Sequence, residues 1–179
     1  MHLFYSRQGQ MDDFNLYFYT QTIQGFQPLL AQPMMRTIVL DSLRHLCKER
    51  WVTIYGFVLM PNHIHLLWRM EGNERKESAA ASFSKFTSHH FKKALAEQAP
   101  ALLAAFSSTK NDRQYQFWKR DPLAIPITSE EALLQKLRYI HDNPVRAGLC
   151  ATPEAYAWSS ATYYATGEDR FGILTNVYG

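Results

Sequence analysis

Cysteine is scarce: Cys47 and Cys150 are the only two in 179 residues. They form neither a CxxC pair nor a zinc-ligand spacing, so the expectation is two free thiols in a reducing cytoplasm. Charge of one sign is also modest. The net charge is +3, which permits a nucleic-acid partner without demanding one. No apolar run approaches the ~20 residues of a membrane helix, and no membrane association is expected. The N-terminus lacks a basic stretch followed by an apolar one, so no secretory leader is expected. Repeats and low-complexity tracts are missing too. What is present is an ordinary globular composition, 46% hydrophobic and 20% charged, with aromatics at 14%. The length suits one domain, or one domain with an extension, and is enough to bury a single core.

Residues 1–13 read as a loosely held arm. The aromatic run from Phe14 to Thr22 predicts a strand. From Met34 to Arg50, Met35, Ile38, Val39, Leu43 and Leu46 recur at helical spacing with charges between them. Trp51–Met60 predicts a second strand with Gly56 as a bulge candidate. Pro61-Asn62 is a turn signal, and His63–Met70 a third strand, antiparallel to the second because the link is so short. Gly72-Asn73 ends it. Ser78–Glu97 predicts a helix with Phe83, Phe86, Phe91 and Leu95 on its apolar face. Tyr115–Lys119 is the expected fourth strand. Thr128 or Ser129 caps a last helix with Glu130 and Glu131 in its first turn. That helix is expected to stop near Asn143, since Pro144 disfavours helical geometry before it. The order predicts an α+β fold: an antiparallel sheet with its helices on one side.

Residues two apart on a strand share a face. His63 and His65 therefore point one way, and Ile64, Leu66 and Trp68 the other. Two imidazoles at that spacing can give one divalent ion a lone pair each. The same pattern also serves as two hydrogen-bonded surface histidines. Two ligands make a poor site, so a third must come from an Asp, Glu, His or Asn elsewhere. Nucleotide hydrolases with alternating histidines invite comparison, but their pattern asks for a histidine at position 67, which is Leu67 here.

Tyr139 and Asn143 lie four apart, on one helical face. If that face meets the histidine strand, Asn143 can complete a metal site and Tyr139 sits one turn away. Packing and a helix stop before proline are the plain alternatives for these two residues. A metal held by two imidazoles and one amide keeps positions open for phosphate oxygens. A phenol is a weak nucleophile at neutral pH, yet one positioned in line can form a covalent phosphotyrosine. Such an ester keeps the energy of the broken bond, so a free 3′-hydroxyl can reverse the step.

Three blocks, MPNHIHLL, RYIHDNPVRAGL and the W-S-S at 158–160, strongly resemble the HUH single-tyrosine transposases of the IS200-like type, above all the REP-associated branch. The match spans roughly residues 14–165. The resemblance implies a ferredoxin-like domain, with a catalytic unit over 14–150 and a C-terminal extension over 151–179. It implies Mg²⁺ or Mn²⁺ held by His63, His65 and a helix residue, and Tyr139 as nucleophile. Insertion-sequence relatives place a Gln four residues after the tyrosine; here the residue is Asn143, one methylene shorter. The first strand matches in placement better than in sequence, and KRDPLAIPI at 119–127 is broken by prolines where a simpler loop is expected. Monomer and homodimer both stay open.

Binding single-stranded or hairpin DNA needs cations for phosphates and rings for bases. Lys85, Lys119, Arg120 and Arg146 are the positions selected. The expected activity is metal-dependent cleavage and strand transfer of single-stranded DNA. The alternatives are a structured nucleic-acid-binding protein without catalysis, and a metal-dependent nucleotide phosphohydrolase.

Overall fold

The computed structural model describes residues 11–72, 76–109 and 114–179. Most of the expected arm, Asn73 and Arg113 lie outside the described residues. Four strands form one sheet: β1 (Leu16–Thr22), β2 (Val52–Met60), β3 (His63–Met70) and β4 (Leu123–Pro126). Their spatial order is β2-β3-β1-β4, and every pairing is antiparallel. Helix α1 (Pro33–Lys48) connects β1 to β2. Helices α2 (Ala79–Gln98) and α3 (Pro100–Ala104) lie between β3 and β4. This is the ferredoxin-like α+β arrangement that the resemblance implies.

Local chemistry explains most boundaries. Pro33 opens α1, where its missing N–H costs nothing. Ser78 caps α2 by accepting from Ala81 N at 3.2 Å, and Ser129 does the same for Ala132 N at 3.2 Å at the start of α4 (Glu130–Arg146). The two-residue link Pro61-Asn62 turns β2 into β3 as expected. The register shifts between Ile54 and Gly56, which places the expected bulge.

Two expectations are corrected. The fourth strand is Leu123–Pro126, not Tyr115–Lys119. Residues 115–118 make only isolated bridges, Ser107 with Tyr115 and Ile23 with Trp118. Their aromatics are there to be buried: Phe117 and Trp118 pack in the core, and Trp118 Nε1 donates to Thr87 Oγ1 on α2 at 2.8 Å. The prolines around β4 are tolerated because it is an edge strand, needing ladder bonds on one side only. Helix α4 also runs past its expected end near Asn143, through Pro144 to Arg146. Pro144 is buried and sits in the last turn, where its ring gives up one backbone bond.

The sheet divides the core. On one face Tyr17, Tyr19, Ile64, Leu66 and Trp68 pack with Val39 and Leu43 of α1 and with Phe83 and Phe91 of α2. On the other face Phe18, Val58, Met60 and Leu67 pack under Leu137 and Ile140 of α4. The expectation that the helices share one side is therefore also corrected: α1 and α2 cover one face, and α4 crosses the opposite one. Gly56 sets how closely it does so, because a Cβ there would lie 2.6 Å from Leu137 Cδ1.

Residues beyond 150 run along β2. Leu59 N donates to Trp158 O at 2.8 Å, Ser160 N to Phe57 O at 3.0 Å, and Thr175 N to Ile54 O at 2.8 Å. Ser160 Oγ also accepts from Phe57 N at 3.0 Å, and Tyr164 donates its hydroxyl to Tyr55 O at 2.6 Å. A short helix, α5 (Ala161–Thr166), lies within this segment. Among the described residues no helix is long and apolar enough to cross a membrane.

Candidate metal and nucleophile site

The alternation of β3 sends Ile64, Leu66 and Trp68 into the α1/α2 core and His63 and His65 to the α4 side. His65 pairs across the sheet with Thr20 of β1 and Val58 of β2, and His63 with Thr22 and Met60. Phe18, two residues before Thr20, stacks under the His65 ring at 5.2 Å between centroids. The two imidazoles meet edge to face, with their Nε2 atoms 3.1 Å apart.

Each remaining ring nitrogen is held. His63 Nδ1 lies 2.7 Å from Asn62 Oδ1. The Asn62 amide is oriented by its Nδ2, which donates to Phe26 O at 3.4 Å, so its oxygen is left to accept from His63. His65 Nδ1 lies 2.7 Å from Thr20 Oγ1, a hydroxyl that can donate or accept. With both Nδ1 atoms protonated, the two Nε2 lone pairs converge on one point. Outer hydrogen bonds of this kind fix ring orientation in metal-ligating histidines.

Electrostatics keep the pair neutral. Burial pushes His65 down to about 3, helped by the neighbouring His63 and Lys136 charges. Burial also lowers His63. A neutral imidazole is the form that donates a lone pair to a cation.

Helix α4 brings Tyr139 over this pair. Its ring lies 5.5 Å from the His65 ring and 5.8 Å from Phe18, edge to face with both. The ring is 37% exposed, which is high for so large a side chain in contact with the sheet. The phenol and the histidines meet within one chain. Asn143 is half-buried, one turn further along α4, and its amide makes no hydrogen bond among the described residues. Two cations flank the phenol: Lys136 Nζ and Arg146 Cζ each lie 5.8 Å from the ring centroid. Lys136 also sits 4.8 Å over Phe18. Neither cation pairs with a carboxylate among the described residues.

The donor set fits a small divalent ion. Adjacent ligands about 2.1 Å from one ion at right angles lie about 3 Å apart, which is the Nε2 separation observed. Among the described residues no cluster of three His, Cys, Asp or Glu side chains exists, so no third donor of those types joins the two imidazoles.

Other positions selected from the sequence fall elsewhere. Lys85 is on α2, against the opposite face of the sheet, and faces Glu77 at 3.8 Å. Lys119 lies beyond the end of β1, with Nζ 4.4 Å over the Phe26 ring. Arg120 follows it and lines a small pocket with Gln21, Ser84 and Ser88. Sequence reasoning missed Lys136, Phe18 and Thr20. The spacing of Lys136 and Tyr139, three apart on a helix, is the signal that could have found the first of these.

Fold and site together define a class: a ferredoxin-like domain with a histidine pair on the sheet and a tyrosine-bearing helix laid over it. The sequence model of a family described as transposase IS200-like matches residues 27–143. That is more than half of the chain, and the chain belongs to this family. Its broad role is accordingly in DNA transposition and DNA binding. Among solved structures, a REP-associated tyrosine transposase bound to a REP hairpin is similar at 16% identity and a TM-score of 0.66, over 99% of this chain and 93% of that one. A candidate transposase from Deinococcus radiodurans aligns at 14% identity and a TM-score of 0.42, over 76% of this chain and 97% of that one. No curated protein sequence matches the chain.

Proposed function

We propose that the protein cleaves single-stranded DNA beside a hairpin and rejoins it through a 5′-phosphotyrosine on Tyr139. The observation that carries this reading is the approach of the Tyr139 ring to His65, 5.5 Å between centroids, in one chain. His63 and His65 hold the cation, Mg²⁺ or Mn²⁺, with Asn143 as third donor. Bound there, it supplies Lewis-acid stabilisation of the charge that builds on the phosphate.

The chain's own residues do the rest. Phe18 and Leu137 set the height of α4 over the sheet, and so the position of Tyr139. The Tyr139 oxygen attacks phosphorus, the bond from phosphorus to the 3′-oxygen breaks, and that oxygen leaves as a 3′-hydroxyl after taking up a proton. The phenol proton is released. Lys136 and Arg146 draw the anionic backbone to the nucleophile and offset charge in the transition state. A free 3′-hydroxyl attacking the phosphotyrosine restores the phenol and joins the strand, without ATP. Hairpin-forming repeats are the proposed substrate, by likeness to the transposase solved with a REP hairpin.

The test is a 3′-labelled hairpin with a single-stranded flank, incubated with Mn²⁺ and resolved on a denaturing gel. The wild type should carry the label as a protein adduct. Tyr139→Phe should lose the adduct and bind the hairpin within about twofold of wild type. If the Phe variant cleaves at the wild-type rate, Tyr139 is not the nucleophile. Hairpin binding without any wild-type adduct would favour a binding protein without catalysis.

A further inference from the structure

Phe26 is among the most exposed large apolar side chains described, at 61%. It is also held in the left-handed region, with φ 55°, directly after Gly25 at φ 64°. A bulky residue is disfavoured there, and Gly or Asn would fit without strain. A largely exposed apolar ring on a strained backbone gains little from burial and loses something to conformation, so folding alone does not explain it.

The loop that presents the ring is nevertheless tied down. Gln24 N donates to Phe117 O at 2.7 Å, Phe26 N to Ile23 O at 3.0 Å, and Gln116 Nε2 to Gln24 Oε1 at 3.1 Å. Lys119 is anchored by its own N–H to Thr22 O at 2.8 Å, and its Nζ lies 4.4 Å over the Phe26 ring. Lys119 pairs with no carboxylate among the described residues. Asn62 connects this loop to the site: it receives the His63 Nδ1 proton at 2.7 Å and donates to Phe26 O at 3.4 Å.

We infer that Phe26 and Lys119 form a stacking site for one unpaired base of the single-stranded flank, at the His63 end of the sheet. The ring offers a flat face to a base, and the ammonium neutralises an adjacent phosphate. Bases inside a duplex keep their faces stacked on one another, so this surface selects single strand over hairpin stem. A protein partner is disfavoured by the chemistry, because the apolar ring carries an unpaired cation directly on it. The proposal rests on the DNA-cleaving reading above and adds where the strand approaches the histidines.

The experiment uses the full chain with Tyr139→Phe, so that DNA is bound and not cut. Two hairpins are compared, one blunt and one with a single-stranded flank carrying 2-aminopurine at successive positions. Wild-type Phe26 should quench the fluorophore at one flank position and favour the flanked hairpin. Phe26→Ala should weaken flanked-hairpin binding by about tenfold, abolish the quenching, and leave blunt-hairpin affinity unchanged. Phe26→Tyr should restore both. Phe26→Asn, which suits the left-handed backbone, should keep or raise the melting temperature and still lose the flank. Equal loss for the two hairpins, or no loss for either, overturns the stacking site and leaves the cleavage reading intact. Failure to bind any hairpin overturns both.

Discussion

On the α1/α2 face of the sheet, Tyr19, Leu66 and Trp68 meet Val39, Leu43, Phe83 and Phe91, and the contact is largely apolar, its polar groups tied up in buried hydrogen bonds such as that of Trp118 to Thr87. On the α4 face the same strands give Phe18, Val58 and Leu67 to a small apolar patch, and then His63, His65 and Thr20 beside it. One face is a core with no chemistry in it. The other is a core only where α4 needs a floor, and its remainder is polar, tied by hydrogen bonds and left half-open under Tyr139. Parity along β3 sends the site residues to one face only, but that face also carries part of the core, Leu67 included.

The separation can be broken from the stable side first. Trp68 is fully buried and its Nε1 has no hydrogen-bond partner among the described residues, so its contribution is packing. Trp68→Ala should cost about 3–5 kcal/mol in urea unfolding, while residual folded protein still forms the adduct. A loss of under 1 kcal/mol would show that this face is not the main core.

Acid should destabilise through buried neutral histidines. Burial pushes His65 down to about 3, and pushes His141 down to about 4 against the opposing pull of Asp142 and Glu154. His141 is held by Ser160 Oγ at 2.8 Å, on the far side of α4 from the site. Both groups ionise near 6.5 in the unfolded chain, which therefore takes up protons that the folded chain refuses. Stability should fall as pH drops from about 6.5, by several kcal/mol before it levels near pH 3. His141→Gln should remove about half of the slope between pH 6.5 and 4, the rest being due to His65. A flat curve between pH 6.5 and 4 would contradict burial of the neutral rings.

Gly56 tests the coupling between patch and site. Gly56→Ala puts a methyl group 2.6 Å from Leu137 Cδ1. The cost should be about 1–3 kcal/mol, and adduct formation should slow about tenfold as Tyr139 is lifted. Equal rates in wild type and variant would mean that α4 height does not control the nucleophile.

The smallest effect expected is that of Lys136. Lys136→Ala should slow adduct formation by about tenfold, near 1.4 kcal/mol of transition-state stabilisation, with hairpin affinity and melting temperature almost unchanged. Lys136→Arg should recover most of the rate. A change in affinity alone would make Lys136 a backbone contact and nothing more.

Much of this was legible because it is local. Helical spacing places α1, α2 and α4, and strand alternation puts His63 and His65 on one face. The four-residue step from Tyr139 to Asn143 marks the helix face that meets them. What was not legible is what pairing decides. Thr20 reaches His65 across 45 residues of sequence, and no spacing rule connects them. Aromatic density suggested a strand at 115–119, but those rings answer to α2 rather than to a ladder. Leu123–Pro126 was hidden because prolines argue against a strand until its position at an edge is known. Lys85 was chosen by charge, and lies on α2, on the face of the sheet away from the histidine pair.

The segment from Trp158 to Thr175 has a consequence for assembly. It takes up backbone groups of β2 at Ile54, Phe57 and Leu59, which an outer strand otherwise offers to any neighbour. Among the described residues the other edge is β4, which is four residues long with Pro122 before it and Pro126 at its end. A sheet finished in this way cannot be lengthened by a second copy at β2 unless its own tail first lets go.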